Sequence, residues 1–256
     1  MHPILFRSGS FTLYWYSVLV YLGIVLGVVY GQWQGRRTGY HDLQVLDGTL
    51  WGLAGGLIGA RMAYVLPNWA DYAGRPLALL SLWGGGLTFQ GGLLGGALAL
   101  GIYSLYAGLS FPRLMDLAAP AVCLAQCLGW GGALLHGANY GLVMRSPLSL
   151  WLPDLYGVYG PRLPTQLLAC VLGFLLFLLL HKLSGRGVGP GMLGLLYLLL
   201  NGIGHFLLEF IRADEAARFG LLRMTQIAEL AEAAVASILL PYLWLRWRRY
   251  RRDSKW

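Results

Sequence analysis

The chain has 256 residues, of which 57% are hydrophobic and only 12% charged, and it carries a formal net charge of +8. A soluble domain averages about 25% charged residues, so this composition excludes an ordinary soluble globular protein and points to an integral membrane protein. The basic residues are scattered between apolar runs, so nucleic acid is not the expected partner; an anionic lipid head group is the better match.

A helix needs about 20 apolar residues to cross a hydrocarbon core. The first such run is residues 11–30, with Trp15 and Tyr16 near its start, where an aromatic belt would lie. It is too long for a signal-peptide core and lacks a small-residue cleavage pattern, so it reads as a retained span. A polar loop with Arg36 and Arg37 leads to the second run, residues 45–66, where Gly52, Gly55, Gly56 and Gly59 have the spacing that lets another helix approach closely. Arg61 lies near the far end of this run. Residues 67–76 read as a short exposed loop.

The stretch WGGGLTFQGGLLGG, residues 83–96, holds seven glycines in fourteen residues, with the amide Gln90 in its middle. That much glycine in an apolar chain implies backbone packed against neighbouring helices or lining a polar cavity. The stretch lacks the lysine and Ser/Thr of a phosphate-binding loop and follows no strand. It leads into a third run at 91–107, and a fourth spans 114–135. Residues 136–164, with four prolines, read as an irregular segment, and further runs occupy 165–180, 192–211 and 226–245. The chain ends in the strongly basic tail 246–256. Cys123, Cys127 and Cys170 lie in apolar surroundings without further ligands, so neither a metal nor another cofactor is expected.

The expectation is therefore an all-α membrane protein with about seven transmembrane helices in a single domain, residues 1–256. Counting Lys and Arg gives 11 on the side of the tail against 7 on the other. By the positive-inside rule the N-terminus is outside, the C-terminus cytoplasmic and segment 136–164 extracytoplasmic. Polar residues concentrate where the runs reach the outer side: Tyr16, Arg61, Tyr64, Gln90, His136, Asn139, Tyr140, Arg162 and Gln166. His205, Glu209 and Arg212 follow i, i+4 and i+3 spacing and share one helix face. Such a trio serves either as an ion pair anchoring a helix end or as the wall of a head-group cavity, with arginine holding a phosphate. His136 reads equally as a polar cap or a general base, and Asp116 as a helix-entry or loop-closing residue.

The segments GLIGARMAYVL (56–66), WGGGLTFQGGLLGG (83–96), GWGGALLHGANYG (129–141), PRLPTQL (161–167), GHFLLEFIR (204–212) and LRMTQ (222–226) together resemble the prolipoprotein diacylglyceryl transferase family. The resemblance implies a bacterial plasma-membrane protein that moves a diacylglyceryl group from phosphatidylglycerol to the lipobox cysteine thiol of a lipoprotein precursor. A thioether forms and glycerol phosphate leaves. The family pattern has histidine where this chain has Gln90, arginine at Trp130, asparagine at Ala133 and His136, glutamate at Ala138, and arginine at His205. After PRLPTQL, its tyrosine and glutamate are replaced by Leu168 and Ala169.

Two functions are compatible with these residues. In the first, the chain is a transferase in which His136 or His205 is the base and Tyr16 and Gln90 position groups. Arg61, Arg162, Gln166, Glu209, Arg212 and Gly137 then form the phospholipid site, with Arg162 and Arg212 on the phosphate. In the second, it is a catalytically silent relative that binds lipid or assembles with other membrane-protein subunits.

Overall fold

The long apolar runs become helices. The computed structural model describes residues 4–9, 11–79, 81 and 85–253. Helices α1 (Trp15–Arg37), α2 (Asp42–Val65), α4 (Phe89–Tyr106), α5 (Phe111–His136), α6 (Thr165–Ser184), α7 (Met192–Glu209) and α8 (Met224–Asp253) each have 18 residues or more. The short α3 (Trp69–Tyr72) and a 3-10 turn at Pro76–Leu79 occupy the region read as an exposed loop. Among the described residues, five helices, α1, α5, α6, α7 and α8, are long and apolar enough to cross a membrane. Large apolar side chains such as Val25, Ile58, Leu94 and Ile238 are more than half exposed, which suits a surface solvated by lipid tails rather than water.

Three expectations need correction. Residues 11–14 do not begin the first helix: β1 (Ile4–Ser8) and β2 (Phe11–Tyr14) pair as an antiparallel hairpin, and α1 starts at Trp15. Aromatic and β-branched residues favour the strand there once a turn at Gly9 closes the pair. Segment 136–164 is not irregular throughout. It contains the antiparallel pair β3 (Leu150–Pro153) and β4 (Tyr159–Arg162), tied by further bridges of Gly141 to Arg212 and Val143 to Arg162. The basic tail is no separate segment either, because α8 continues to Asp253. A third small pair, β5 (Arg218–Phe219) with β6 (Leu222–Arg223), precedes α8.

The chain forms two compact units. Residues 32–115 form a smaller unit, and residues 1–31 with 116–256 a larger one. The smaller unit is organised by glycine. A Cβ on Gly59 would lie 2.4 Å from the Gly91 carbonyl oxygen, and one on Gly95 2.3 Å from that of Gly55. Backbone thus meets backbone between α2 and α4, the close approach that the glycine spacing predicted.

In the larger unit, α7 opens at Gly191, which offers no side chain to cap the helix. Asp116 on α5 does so instead, its carboxylate accepting from the N–H groups of Gly191 (2.7 Å), Leu193 (2.8 Å) and Gly194 (3.0 Å). The loop-closing role read for Asp116 is therefore met by a cap borrowed from another helix. Asp116→Ala should lower stability by about 1–2 kcal/mol, in the range of a lost N-cap. Thermal unfolding in detergent checks this; a variant melting with the parent would show the cap to be dispensable.

Candidate active site

The larger unit builds its polar site around the end of α5. Gly137 ends that helix with φ +81°, its N–H donating to the Ala133 carbonyl at 2.9 Å. A Cβ there would stand 2.7 Å from the Asp154 carbonyl oxygen, so only glycine permits both the left-handed turn and the contact with the β3–β4 hairpin. Gly137 thus sets the course of the site's backbone. Gln166 and Thr165, both buried, pin the chain beyond it. Gln166 Nε2 donates to the Ala138 carbonyl at 2.8 Å, and Thr165 Oγ1 to that of Asn139 at 2.7 Å.

This turn sets the final residue of α5, His136, against the aromatic entry of α1. Its ring meets Tyr14 edge-on at 5.7 Å and Tyr16 at 6.0 Å. Gly132 makes room, because a Cβ there would be 3.1 Å from the Tyr16 backbone. The Nδ1 of His136 is buried and has no hydrogen-bond partner among the described residues. A buried polar atom left unmatched costs stability and is a common mark of a working site.

Arg162, the last residue of β4, donates from Nη2 to Asp154 Oδ2 at 2.9 Å and lies 4.8 Å from the Tyr140 ring centroid. Asp154 is itself held by the N–H groups of Tyr156 and Val158, both at 2.9 Å. Arg162 Nε is buried and unmatched. Gly137, Asp154 and Arg162 therefore form a continuous contact from the histidine-bearing helix end to an arginine with a donor to spare.

Glu209 and Arg212 form the ion pair that their spacing allows. Two residues not singled out from the sequence complete the cluster. Asp214 receives Arg212 Nε at 2.9 Å and Nη2 at 2.5 Å, and Arg223 Nη1 at 3.2 Å. Arg223 also reaches Glu209 Oε2 at 3.4 Å. Asn139, with φ +55°, accepts the other Nη2 hydrogen of Arg212 at 2.9 Å. Burial works to lower the Arg212 pKa, but the carboxylates of Asp214 and Glu209 outweigh it and hold it above its ordinary value. In this cluster the guanidinium groups of Arg212 and Arg223 face the carboxylates of Glu209 and Asp214. The RAD sequence at 212–214 and the arginine of LRMTQ were the signals for it.

His205 occupies a different environment from His136. Its Nε2 lies 2.9 Å from Gln126 Nε2, which also donates to Asn201 Oδ1 at 2.9 Å, while Tyr197 donates its hydroxyl to Gln126 Oε1 at 3.2 Å. With the amide oxygen engaged by Tyr197, the Gln126 amino group is the donor, so Nε2 of His205 accepts and the ring proton sits on Nδ1. The imidazole also stacks on Trp130, centroids 5.3 Å apart and planes 18° apart. This histidine is a member of a buried hydrogen-bonded network.

The remaining two candidates belong to the smaller unit. Arg61, 8% exposed, donates to four backbone carbonyls, those of Ala78 (2.7 Å), Leu79 (2.9 Å), Gly85 (2.8 Å) and Gly86 (3.0 Å). Gly86 has φ +78°, and a Cβ on it would strike the Arg61 guanidinium at 2.6 Å. Arg61 is thus the clamp of the glycine-rich loop, with four of its five N–H donors on backbone carbonyls. Gln90 lies in the first turn of α4, partly exposed. Trp83 and Gly84, at the head of the glycine stretch, lie outside the described residues.

Comparison with known proteins decides the family. The model of the prolipoprotein diacylglyceryl transferase family matches residues 3–242. The chain is 33% identical over 237 residues to the phosphatidylglycerol–prolipoprotein diacylglyceryl transferase of Enterococcus faecalis, covering 89% of this chain and 85% of the relative. It is 34% identical over 241 residues to the enzyme of that name from Nitratidesulfovibrio vulgaris, covering 88% and 87%. The enzyme of that name from Bacillus licheniformis is 32% identical over 237 residues, covering 89% and 87%. The chain belongs to the prolipoprotein diacylglyceryl transferase family.

Trp130 and His205, both at positions where the family resemblance implies arginine, are in contact, an indole stacked on an imidazole.

Proposed function

We propose that this protein is a phosphatidylglycerol–prolipoprotein diacylglyceryl transferase of the bacterial plasma membrane whose general base is His136. The observation that carries the proposal is the buried, unmatched Nδ1 of His136, beside Tyr16 and one contact away from the Asp154–Arg162 pair. A thiol is a poor nucleophile until it loses its proton. In this reading Nδ1 of His136 takes that proton from the lipobox cysteine. The thiolate sulfur attacks the glyceryl carbon that bears the phosphate ester, a C–S bond forms, and the C–O bond to phosphate breaks. Glycerol phosphate leaves with the bonding pair, and the proton on His136 passes to it or to water.

The developing charge on the phosphate needs fixed donors. Arg162 supplies them most readily, through its unmatched Nε and the part of its guanidinium not committed to Asp154. Arg212 and Arg223 are held by Glu209 and Asp214, so their role is to keep the outer end of α7 rigid and the local field balanced. Tyr16 orients the imidazole and Gln90, a neutral amide, takes no proton. Phosphatidylglycerol and a lipoprotein precursor are the two partners, and the N-terminus and segment 136–164 face outside the cytoplasm.

Expression in bacteria depleted of their own transferase tests the reading. Restored lipidation of a reporter lipoprotein is expected. Persistent accumulation of unmodified precursor, with the protein present in the membrane, would overturn it.

A further inference from the structure

At the ends of α6, α7 and α8 remote from His136 lies an apolar groove of about 420 Å³. Met192, Leu193 and Leu196 of α7 form one wall, and Leu240, Pro241 and Trp244 of α8 the other. Its volume lies within the range of about 300–1,000 Å³ typical of small-molecule sites. Pro241 stands inside α8, where it removes one backbone hydrogen bond and disturbs the helix beside the groove.

The mouth of the groove is cationic. Leu240, Trp244 and Arg248 follow at four-residue steps and share one face of α8, and Arg251 lies one further turn along. The Arg248 guanidinium sits 4.5 Å from the Trp244 ring centroid, and that of Arg251 5.7 Å from Trp247. Arg251 also reaches the α6–α7 turn, its Nη2 3.3 Å from where a Gly187 Cβ would be. Lys182 and Arg186, at the end of α6 and in that turn, are exposed. No acidic residue occurs in 182–191 or 244–252. Asp253 ends α8 two residues beyond Arg251, and Asp116 on α5 is committed to the N–H groups of Gly191, Leu193 and Gly194.

We propose that this groove holds one acyl chain of an anionic phospholipid from the leaflet around the C-terminal end of α8, with its phosphate on Arg248 and Arg251. The site is separate from the transfer chemistry and its lipid is not consumed. An acyl chain gains little by moving from bilayer to an apolar groove, since lipid tails are as apolar as leucine. Selectivity therefore comes from the head group, where each nearby arginine adds attraction to an anion. Trp244 joins the two parts, packing its ring along the chain while sitting under the Arg248 cation.

The test uses the full-length protein in nanodiscs with a diazirine in the acyl chain of either phosphatidylglycerol or phosphatidylcholine, and maps the cross-links by mass spectrometry. Labelling of 192–196 and 240–244 is expected, on the order of tenfold stronger with phosphatidylglycerol. Arg248→Gln with Arg251→Gln, both exposed, should erase that preference. Leu196→Trp, which fills the groove, should remove the label with the cations intact. Equal labelling by the two lipids, an unchanged preference in the double arginine variant, or no label in these segments would each overturn the proposal.

Discussion

His136→Ala should lower diacylglyceryl transfer by about 10²–10⁴-fold, the range for losing a positioned general base. The protein should still accumulate in the membrane, because the imidazole Nδ1 makes no hydrogen bond whose loss would unfold it. His205→Phe is the matched comparison. It keeps a ring stacked on Trp130 but removes the acceptor for Gln126, so transfer should fall far less than in His136→Ala. Rates measured on purified variants with phosphatidylglycerol and a lipobox peptide decide between them. A larger loss in His205→Phe would move the base to α7 and reduce His136 to a helix cap.

Gly59→Leu should disrupt the smaller unit. The added side chain begins 2.4 Å from the Gly91 carbonyl oxygen and 2.7 Å from the Gly95 Cα, both backbone atoms that cannot rotate away. Overpacking where flexible side chains can yield costs about 1–3 kcal/mol; here the helices must separate, so the loss should reach or exceed the top of that range. Separation of α2 from α4 would also release the contact of Thr88 N–H with the Ala60 carbonyl, 3.1 Å, which fixes the loop before α4. Gly74→Leu, at a position where a Cβ meets nothing, provides the contrast and should be tolerated. Protease resistance and melting in detergent report both variants. A Gly59→Leu protein as stable as the parent would mean that the two helices do not pack through this glycine face.

Much of this architecture could be read from the residues because membrane helices announce themselves by length and apolarity, and glycine at four-residue spacing announces close packing. Asp116, alone near the start of an apolar run, was likewise legible as a closing residue, although not which helix it caps. The hairpins were less so. The strands β3 and β4 are four residues each and include Pro153 and Pro161, and the bridge beside them joins residues far apart in the chain, Gly141 to Arg212. Residue type also could not separate the two histidines. His136 and His205 differ only in what surrounds them, an open nitrogen in one case and Gln126 with Trp130 in the other. Arg61 is the clearest example: buried arginine in an apolar run suggests an anion, yet here four carbonyl oxygens at a glycine-rich loop fill that role. Asp214 and Arg223 went unread because each lies outside the helix that bears their partners, joined through a turn of chain.

With glutamine at position 90, transfer by this chain rests on His136. Purified protein incubated with phosphatidylglycerol and a lipobox peptide tests this. A peptide heavier by one diacylglyceryl group is expected, with an equal yield of glycerol phosphate, and neither product when the peptide cysteine is replaced by serine. Folded, lipid-binding protein that leaves the peptide mass unchanged and releases no glycerol phosphate would contradict it.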